Sequence, residues 1–135
     1  MKILYKKTAL CLATLSLFAS VTAFAGDVYV ITNSSVNISA DDVKDIYSGE
    51  KLIEGGTKLI PIDNNSLKAD FLSKVMGMPA DKYSSMWSKK VFRDGLTAPV
   101  SKSTDADVIA LVKAKPGNIG YVAAPTADVK VVKKY

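Results

Sequence analysis

The chain has 135 residues, a formal net charge of +5, a single cysteine and no histidine. The missing histidine and the isolated Cys11 remove the usual general base, the usual zinc ligands and a disulfide framework. We therefore expect no enzyme, no metal site and no cofactor.

The first 25 residues have the pattern of a secretory signal peptide. Three lysines (Lys2, Lys6 and Lys7) precede an uncharged, mostly apolar run, and the small residues Ala23 and Ala25 form a cleavage site. The apolar run is shorter than the roughly 20 residues that a spanning helix needs. We predict a leader over residues 1–25, a single domain over residues 26–135 and a periplasmic location; an uncleaved anchor is the alternative.

The leader carries much of the positive charge. Its removal takes three lysines and no acid, so 18 basic residues become 15, and 15 − 13 leaves a net charge of +2. The remaining domain has no cluster of arginines and aromatic residues, which is the usual mark of a nucleic-acid surface. We therefore expect no nucleic-acid partner.

The first half of the domain alternates between strand and helix patterns. Residues 27–32 are rich in β-branched and aromatic side chains and predict a strand, which a polar turn ends. Ser39 is a candidate N-cap for a helix that buries Val43, Ile46 and Tyr47 and ends at Gly49. Residues 50–57 read as a loop with a turn at Gly55 and Gly56, and residues 58–62 as the second strand.

The junction after this second strand is the first candidate site. The polar run Asp63-Asn64-Asn65-Ser66 precedes apolar residues at helical spacing, so Asn65 or Ser66 is predicted to cap a helix that ends near Gly77. A helix start presents free backbone N–H groups and a positive dipole end, which suit an anion. Lys68 would add positive charge. The same residues are also typical of a plain helix cap, and both interpretations remain open.

The second half continues the alternation. Residues 79–92 predict a helix that begins at a proline. Residues 96–100 contain Pro99 and indicate a linker or an edge segment. Ser103 or Thr104 is expected to cap a helix that ends at Pro116-Gly117, and residues 118–122 and 129–132 predict two short strands. The pattern as a whole predicts an α/β fold with a mostly parallel sheet flanked by helices.

Several segments together resemble one family. They are, in chain order, Asp45 to Gly49 (DIYSG), Leu59 to Asp63 (LIPID), Phe71 with Val75 to Gly77, Tyr83, Trp87 and Val91-Phe92, and Pro116 to Val122 (PGNIGYV). In this order and spacing they are similar to the phosphate-receptor-like substrate-binding proteins of ABC transporters, in particular to the short, single-lobe members. The match extends over nearly all of residues 26–135.

The resemblance implies one lobe of a type II periplasmic-binding-protein fold without enzymatic activity. It also implies a partner in transport, namely the membrane component of an ABC transporter. In full-length phosphate receptors, hydroxyl groups, helix-start N–H groups, an arginine and an aspartate hold phosphate between two lobes. The positions carried over to this chain as ligand-binding for phosphate or a similar oxyanion are Thr32, Ser34, Ser35, Asp63, Asn65 and Ser66.

A second function is also compatible with the sequence. The stretch from Pro61 to Leu67 has no arginine, and a single lobe offers one wall where small ligands are usually buried between two. Tight binding would then need a homodimer or another protein as the second wall. The alternative is a lobe without a ligand that docks on an envelope protein.

Overall fold

The computed structural model describes residues 26–135, so the predicted signal peptide lies outside the described residues. Its strands are β1 (Tyr29–Thr32), β2 (Ile53–Glu54), β3 (Thr57–Lys58), β4 (Ile60–Asn64), β5 (Val100–Lys102), β6 (Asn118–Val122) and β7 (Lys130–Lys134). Its α-helices are α1 (Asp42–Tyr47), α2 (Lys68–Phe71), α3 (Ala80–Asp94) and α4 (Asp105–Ala114). A π-helical turn, Leu72–Met76, continues α2 and ends at Gly77 in the left-handed conformation.

Five strands form one sheet in the order β5-β4-β6-β1-β7. β4 pairs in parallel with β5 and with β6, whereas β1 pairs antiparallel with both β6 and β7. Four of the five strands therefore run in one direction and only β1 opposes them, which confirms the mostly parallel sheet. The antiparallel pairing around β1 is the part that the alternating pattern did not predict.

The sheet separates two apolar layers. One layer packs α1, α2 and α3 against the sheet through large aromatic side chains, and the rings of Phe71 and Tyr121 stack with their centroids 3.9 Å apart. The other layer is aliphatic and packs α4 on the opposite face through Val108 and Val112. Here α4 lies so close to β6 that a Cβ atom on Gly120 would stand 2.4 Å from the Val108 side chain.

Several element boundaries differ from the predictions. The stretch of residues 50–57 contains most of a two-stranded hairpin, β2-β3, around the predicted turn at Gly55-Gly56. Residues 96–100 lead into β5, which is an edge strand. Thr104 caps α4 as expected, because its hydroxyl oxygen accepts a hydrogen bond from the Asp107 N–H at 3.3 Å. The last strand, predicted to end at residue 132, continues to Lys134 as β7.

The cap predicted for the second helix was wrong. β4 extends two residues further than expected, to Asn64, and α2 begins at Lys68, with Leu67 in the N-cap position and no side-chain cap bond. The physical reason is that Asp63 and Asn64 have buried partners on neighbouring elements, so tertiary contacts keep them in the strand. Asp63 is 2% exposed and Asn64 is fully buried.

Candidate functional site

The carboxyl end of β4 is held by the side chain of Asn64. Its amide nitrogen donates to Asp105 Oδ1 at 2.7 Å and to the Tyr121 carbonyl at 3.1 Å. Its carbonyl oxygen accepts from the Ser66 N–H at 3.1 Å and from the Ser66 hydroxyl at 2.6 Å. The other Asp105 oxygen accepts from the N–H groups of Ala123 and Ala124. One buried amide thus connects β4, α4 and the end of β6.

The predicted N–H cradle for an anion is occupied by the protein itself. The Asn65 N–H donates to the Lys102 carbonyl at 2.8 Å, and the Leu67 N–H donates to the Asn64 carbonyl at 3.0 Å. The N–H and the hydroxyl of Ser66 are both directed to Asn64. These hydrogen bonds fix the turn and leave the N–H groups of Asn65, Ser66 and Leu67 engaged within the protein, so the turn neither caps α2 nor offers these groups to an anion. The side chains of Asn65 and Ser66 are exposed beside it.

Asp63 points to the other face of β4, toward α3. Its carboxylate accepts hydrogen bonds from the Tyr83 hydroxyl at 3.2 Å and from the Tyr121 hydroxyl at 3.2 Å. The Lys68 ammonium lies 3.6 Å from Asp63 Oδ2 and 5.3 Å from the centre of the Tyr83 ring. A buried carboxylate without such partners would be strongly destabilising, so these three groups are what allow it to remain inside.

Burial dominates the electrostatics of this cluster. Burial raises the pKa of Asp63 above its ordinary value, while the Lys68 charge and the tyrosine hydroxyls act against that rise. Burial and the nearby Asp63 charge raise the pKa of both Tyr83 and Tyr121. The two phenols therefore stay protonated and act as donors to the carboxylate.

Above this cluster lies an open depression, which we call the α3 groove. It has a volume of about 450 Å³ and is bounded by α3, the end of β4 and the chain leading into β5. This lies within the range of small-molecule pockets. Ser101 is the register neighbour of Asp63 across the β4-β5 pair, so both side chains point into it. The polar and charged residues of its lining are Asp63, Lys68, Tyr83, Ser84, Ser88 and Ser101.

The other predicted residues lie at the opposite end of the strands, where the parallel strands begin. Thr32 ends β1, which runs against β6, so it pairs with Ile119 near the start of that strand. The Asn33 amide donates to the carbonyls of Val112 and Lys113 at the carboxyl end of α4, whereas Asn64 contacts Asp105 at its amino end. The contacted positions on α4 are seven to eight residues apart, which at about 1.5 Å each places them about 11 to 12 Å from one another along the helix.

This end is also unsuited to an anion. Ser34 and Ser35 are exposed, and the Ser35 hydroxyl donates to Asn33 Oδ1 at 2.7 Å. The Thr32 hydroxyl is fully buried and has no hydrogen-bond partner in the described structure. The nearest helix end is the negative one, which favours cations. The structure does not bring Thr32, Ser34 and Ser35 together with Asp63, Asn65 and Ser66.

Sequence reasoning found the β4 end of the groove and missed its other walls. Asp63 was predicted to contribute and Lys68 to add positive charge, and both line the groove. Ser84 and Ser88 were missed, although their spacing of four residues on a helix gave a signal, because such residues lie on one face. No local signal in the sequence pointed to Ser101, because its position depends on the register of β5 beside β4.

Residues 26–135 contain neither a metal-binding cluster nor a membrane-spanning helix. Within residues 26–135, no group of three or more histidine, cysteine, aspartate or glutamate side chains is placed to hold a metal ion. Over the same residues, no helix combines the length and the apolarity needed to cross a membrane.

No protein-family model matches the sequence, and no curated protein matches it. Among solved structures, the fold is similar to the crystal structure of an ABC-type phosphate transport receptor from Vibrio cholerae, with a TM-score of 0.50 and 14% sequence identity. The match covers 81% of this chain and 47% of the receptor chain, so this chain spans about half the length of that receptor. At this identity the likeness shows a shared α/β fold.

Proposed function

We propose that this protein is a substrate-binding lobe that acts in the periplasm, recognises phosphate or a similar oxyanion in the α3 groove and works with an ABC transporter. The observation that carries the proposal is the position of the groove. It opens at the carboxyl ends of the parallel strands β4 and β5, where ligands bind in open α/β sheets. The shared fold with a phosphate transport receptor supports the choice of ligand class.

The side chains of the groove supply the chemistry for an oxyanion. Lys68 provides a positive charge, and its 3.6 Å separation from Asp63 is longer than the 2.7–2.9 Å of a tight charged hydrogen bond. The ammonium is therefore free to turn toward a ligand in the groove. Three exposed serines, Ser84, Ser88 and Ser101, add hydroxyl donors around the same space.

In this proposal the site is built around Asp63, whereas Asn65 and Ser66 lie on the turn that follows β4 and are not part of the groove lining. Asp63 opposes the Lys68 charge and is almost fully buried, so its role is to position the lysine. One partly neutralised ammonium on one open wall favours only modest affinity for an anion. Tight binding therefore requires a second wall, which this lobe does not contain within its described residues.

Calorimetric titration of the secreted protein with phosphate, and with sulfate as a control anion, tests the proposal. Because one open wall favours only modest affinity, we expect phosphate to bind in roughly the millimolar range on the lobe alone and in roughly the micromolar range where a second wall covers the groove, with no binding of sulfate. Lys68→Ala should weaken binding at least tenfold, and Ser101→Ala should weaken it several-fold. Lys89→Ala is the matched control, because Lys89 lies on α3 but outside the groove lining. Circular dichroism verifies that each variant is folded.

Absence of heat with both anions, on folded wild-type protein, would overturn the proposal. Unchanged affinity in both Lys68→Ala and Ser101→Ala would move any phosphate site away from the groove. The double variant Asn65→Ala with Ser66→Ala tests the turn after β4 separately. No change in its affinity would exclude those two side chains from the site.

A second function, docking on an envelope protein without a small ligand, is favoured by one observation. Phe92 at the rim of the groove is 94% exposed, and Val91 beside it is 42% exposed. Exposed apolar side chains that cluster around a depression are typical of interaction surfaces. A protein that binds neither anion, but is retained by a purified envelope component through Phe92, would establish this function instead.

A further inference from the structure

Exposed apolar side chains concentrate on one face of the molecule. Among the described residues, six large apolar side chains are exposed. Four of these six line either the α3 groove or a groove beside it: Leu52, Val91, Phe92 and Val100. We call this the apolar face. Phe92 makes almost no contact within its own chain, so its side chain contributes little to the fold as described.

The neighbouring depression, which we call the second groove, is predominantly apolar. It has a volume of about 320 Å³ and lies between the hairpin side of the domain, the start of β4 and the segment leading into β5. Ile60, Leu96 and Trp87 are among its walls. Trp87 and Ala98 border both depressions, so the projecting Phe92 and the hollow second groove lie on one continuous face.

We propose that a second copy of this chain covers the apolar face, with Phe92 of each copy inserted into the second groove of the other. A two-fold dimer requires a surface that is complementary to itself, so that a projection and a hollow on the same face exchange partners across the axis. Such an assembly is complete with two copies, and the Phe92 side chain of each copy is removed from water.

The charge of the face suits an identical partner. The charged residues in the lining of the two grooves are Asp63, Lys68 and Lys58, and the first two are paired with each other. Within the described residues, Lys58 is thus the one charged side chain in these linings without a charged partner, and the repulsion between two identical copies is limited to that residue. A membrane of anionic lipid would instead require a basic surface, and the basic side chains Lys82, Lys89 and Arg93 line a different depression on α3.

Phe92 supplies part of the area that a stable dimer needs. At 94% exposure, the Phe92 ring presents on the order of 200 Å². A stable interface buries about 800 Å² on each partner, so one aromatic anchor supplies about a quarter of it. Such central, fully covered aromatic side chains carry much of the binding energy of an interface.

The dimer would supply the second wall that tight anion binding requires. This role of the dimer rests on the proposed function, whereas the dimer itself does not. A copy seated on the apolar face would cover the α3 groove, because Val91 and Phe92 form the rim of that groove. The chain covers 47% of the receptor with the similar fold, so two copies approach the length of one such receptor. In this arrangement each lobe closes the groove of its partner.

Sedimentation velocity of the secreted protein, without added anion, tests the inference. We expect a concentration-dependent dimer in the micromolar range, and Phe92→Ser should raise the dimer dissociation constant at least tenfold. Val131→Ser is the matched control. Val131 is 42% exposed on β7, at the opposite edge of the sheet, and its variant should dimerise as the wild type does. Both side chains are exposed, so both variants should remain folded.

A wild type that stays monomeric at 100 μM, or equal dimerisation of Phe92→Ser and wild type, would overturn the inference. Monomeric protein that is retained on anionic vesicles or on an envelope protein through Phe92 would also overturn it, because another occupant then covers the face. Phosphate titration distinguishes the two proposals. If the protein dimerises but gives no heat with phosphate, the oxyanion function is wrong and the dimer stands. If a monomer binds phosphate, the dimer is wrong and the oxyanion function stands.

Discussion

Two turns of this protein have the same local structure and different surroundings. In each, an asparagine side-chain oxygen accepts from the N–H and the hydroxyl of a serine two residues later: Asn33 with Ser35, and Asn64 with Ser66. In each, the asparagine amide then donates two further hydrogen bonds. Asn33 reaches the carboxyl end of α4, and Asn64 reaches the amino end of the same helix.

The difference between them shows that the motif alone does not define a site. The Asn33 turn follows β1, which opposes the other strands, so it lies at the carboxyl end of α4 and away from the α3 groove. The Asn64 turn follows β4 at the carboxyl edge, where β5 and β6 also end and where the α3 groove opens. Strand direction, and not the sequence of the turn, decides which of the two lies at the end of the sheet where the α3 groove opens.

Among changes that distinguish the two turns, Asn64→Ala should have the largest effect on stability. It removes a fully buried amide and leaves the Tyr121 carbonyl and part of the Asp105 carboxylate without their donor. We expect the free energy of unfolding to fall by about 2 to 3 kcal/mol. Urea denaturation monitored by Trp87 fluorescence measures this. A loss below about 0.5 kcal/mol would mean that the buried network does not hold the β4 edge.

Asn33→Ala is the matched change at the other turn, and its effect should be smaller. Asn33 is partly exposed, so water replaces the hydrogen bonds to the Val112 and Lys113 carbonyls. We expect a loss of about 0.5 to 1 kcal/mol, by the same denaturation experiment. Phosphate affinity should not change, because this turn lies far from the α3 groove. If folded Asn33→Ala bound phosphate more weakly than the wild type, the turn after β1 would have to be part of the binding site.

The smallest expected effect is a dependence of stability on pH, and it arises from Asp63 in β4. Asp63 is the one buried carboxylate among residues 26–135, and burial raises its pKa above the ordinary value of 3.8. The unfolded chain therefore loses this proton at lower pH than the folded chain does. Stability contributed by the protonated form is present below pH 3.8 and declines as the pH rises through the folded pKa.

Asp63→Asn should abolish that decline, because the amide does not titrate and keeps an oxygen for the tyrosine hydroxyls. The stability of the variant relative to wild type should thus rise with pH above 3.8 and then level off. Urea denaturation of both proteins across the acidic range measures the difference. A difference that falls with increasing pH would show that Lys68 and the tyrosines outweigh burial and lower the pKa of Asp63.

Much of the fold was predictable from local patterns. Residues 79–92 and 118–122 are clear examples, because helical spacing and β-branched residues determine them within a few positions: α3 spans Ala80–Asp94 and β6 spans Asn118–Val122. The end of β4 was not predictable in this way. Polar residues such as Asp63 and Asn64 normally mark a turn, and only buried partners from α3, α4 and β6 explain why they remain in the strand.

The sequence by itself determined the α/β class and a polar turn after each of the first two long strands, because strand, turn and helix patterns depend on side chains within a few residues of one another. It also predicted an exported single lobe, which stays a prediction. Only the tertiary structure decided that β1 runs antiparallel, that Thr32 and Asn65 lie at opposite ends of the strands, and that Ser101 faces the same groove as Asp63. These facts depend on pairing between strands far apart in the chain, and no local pattern of polar and apolar residues encodes that register.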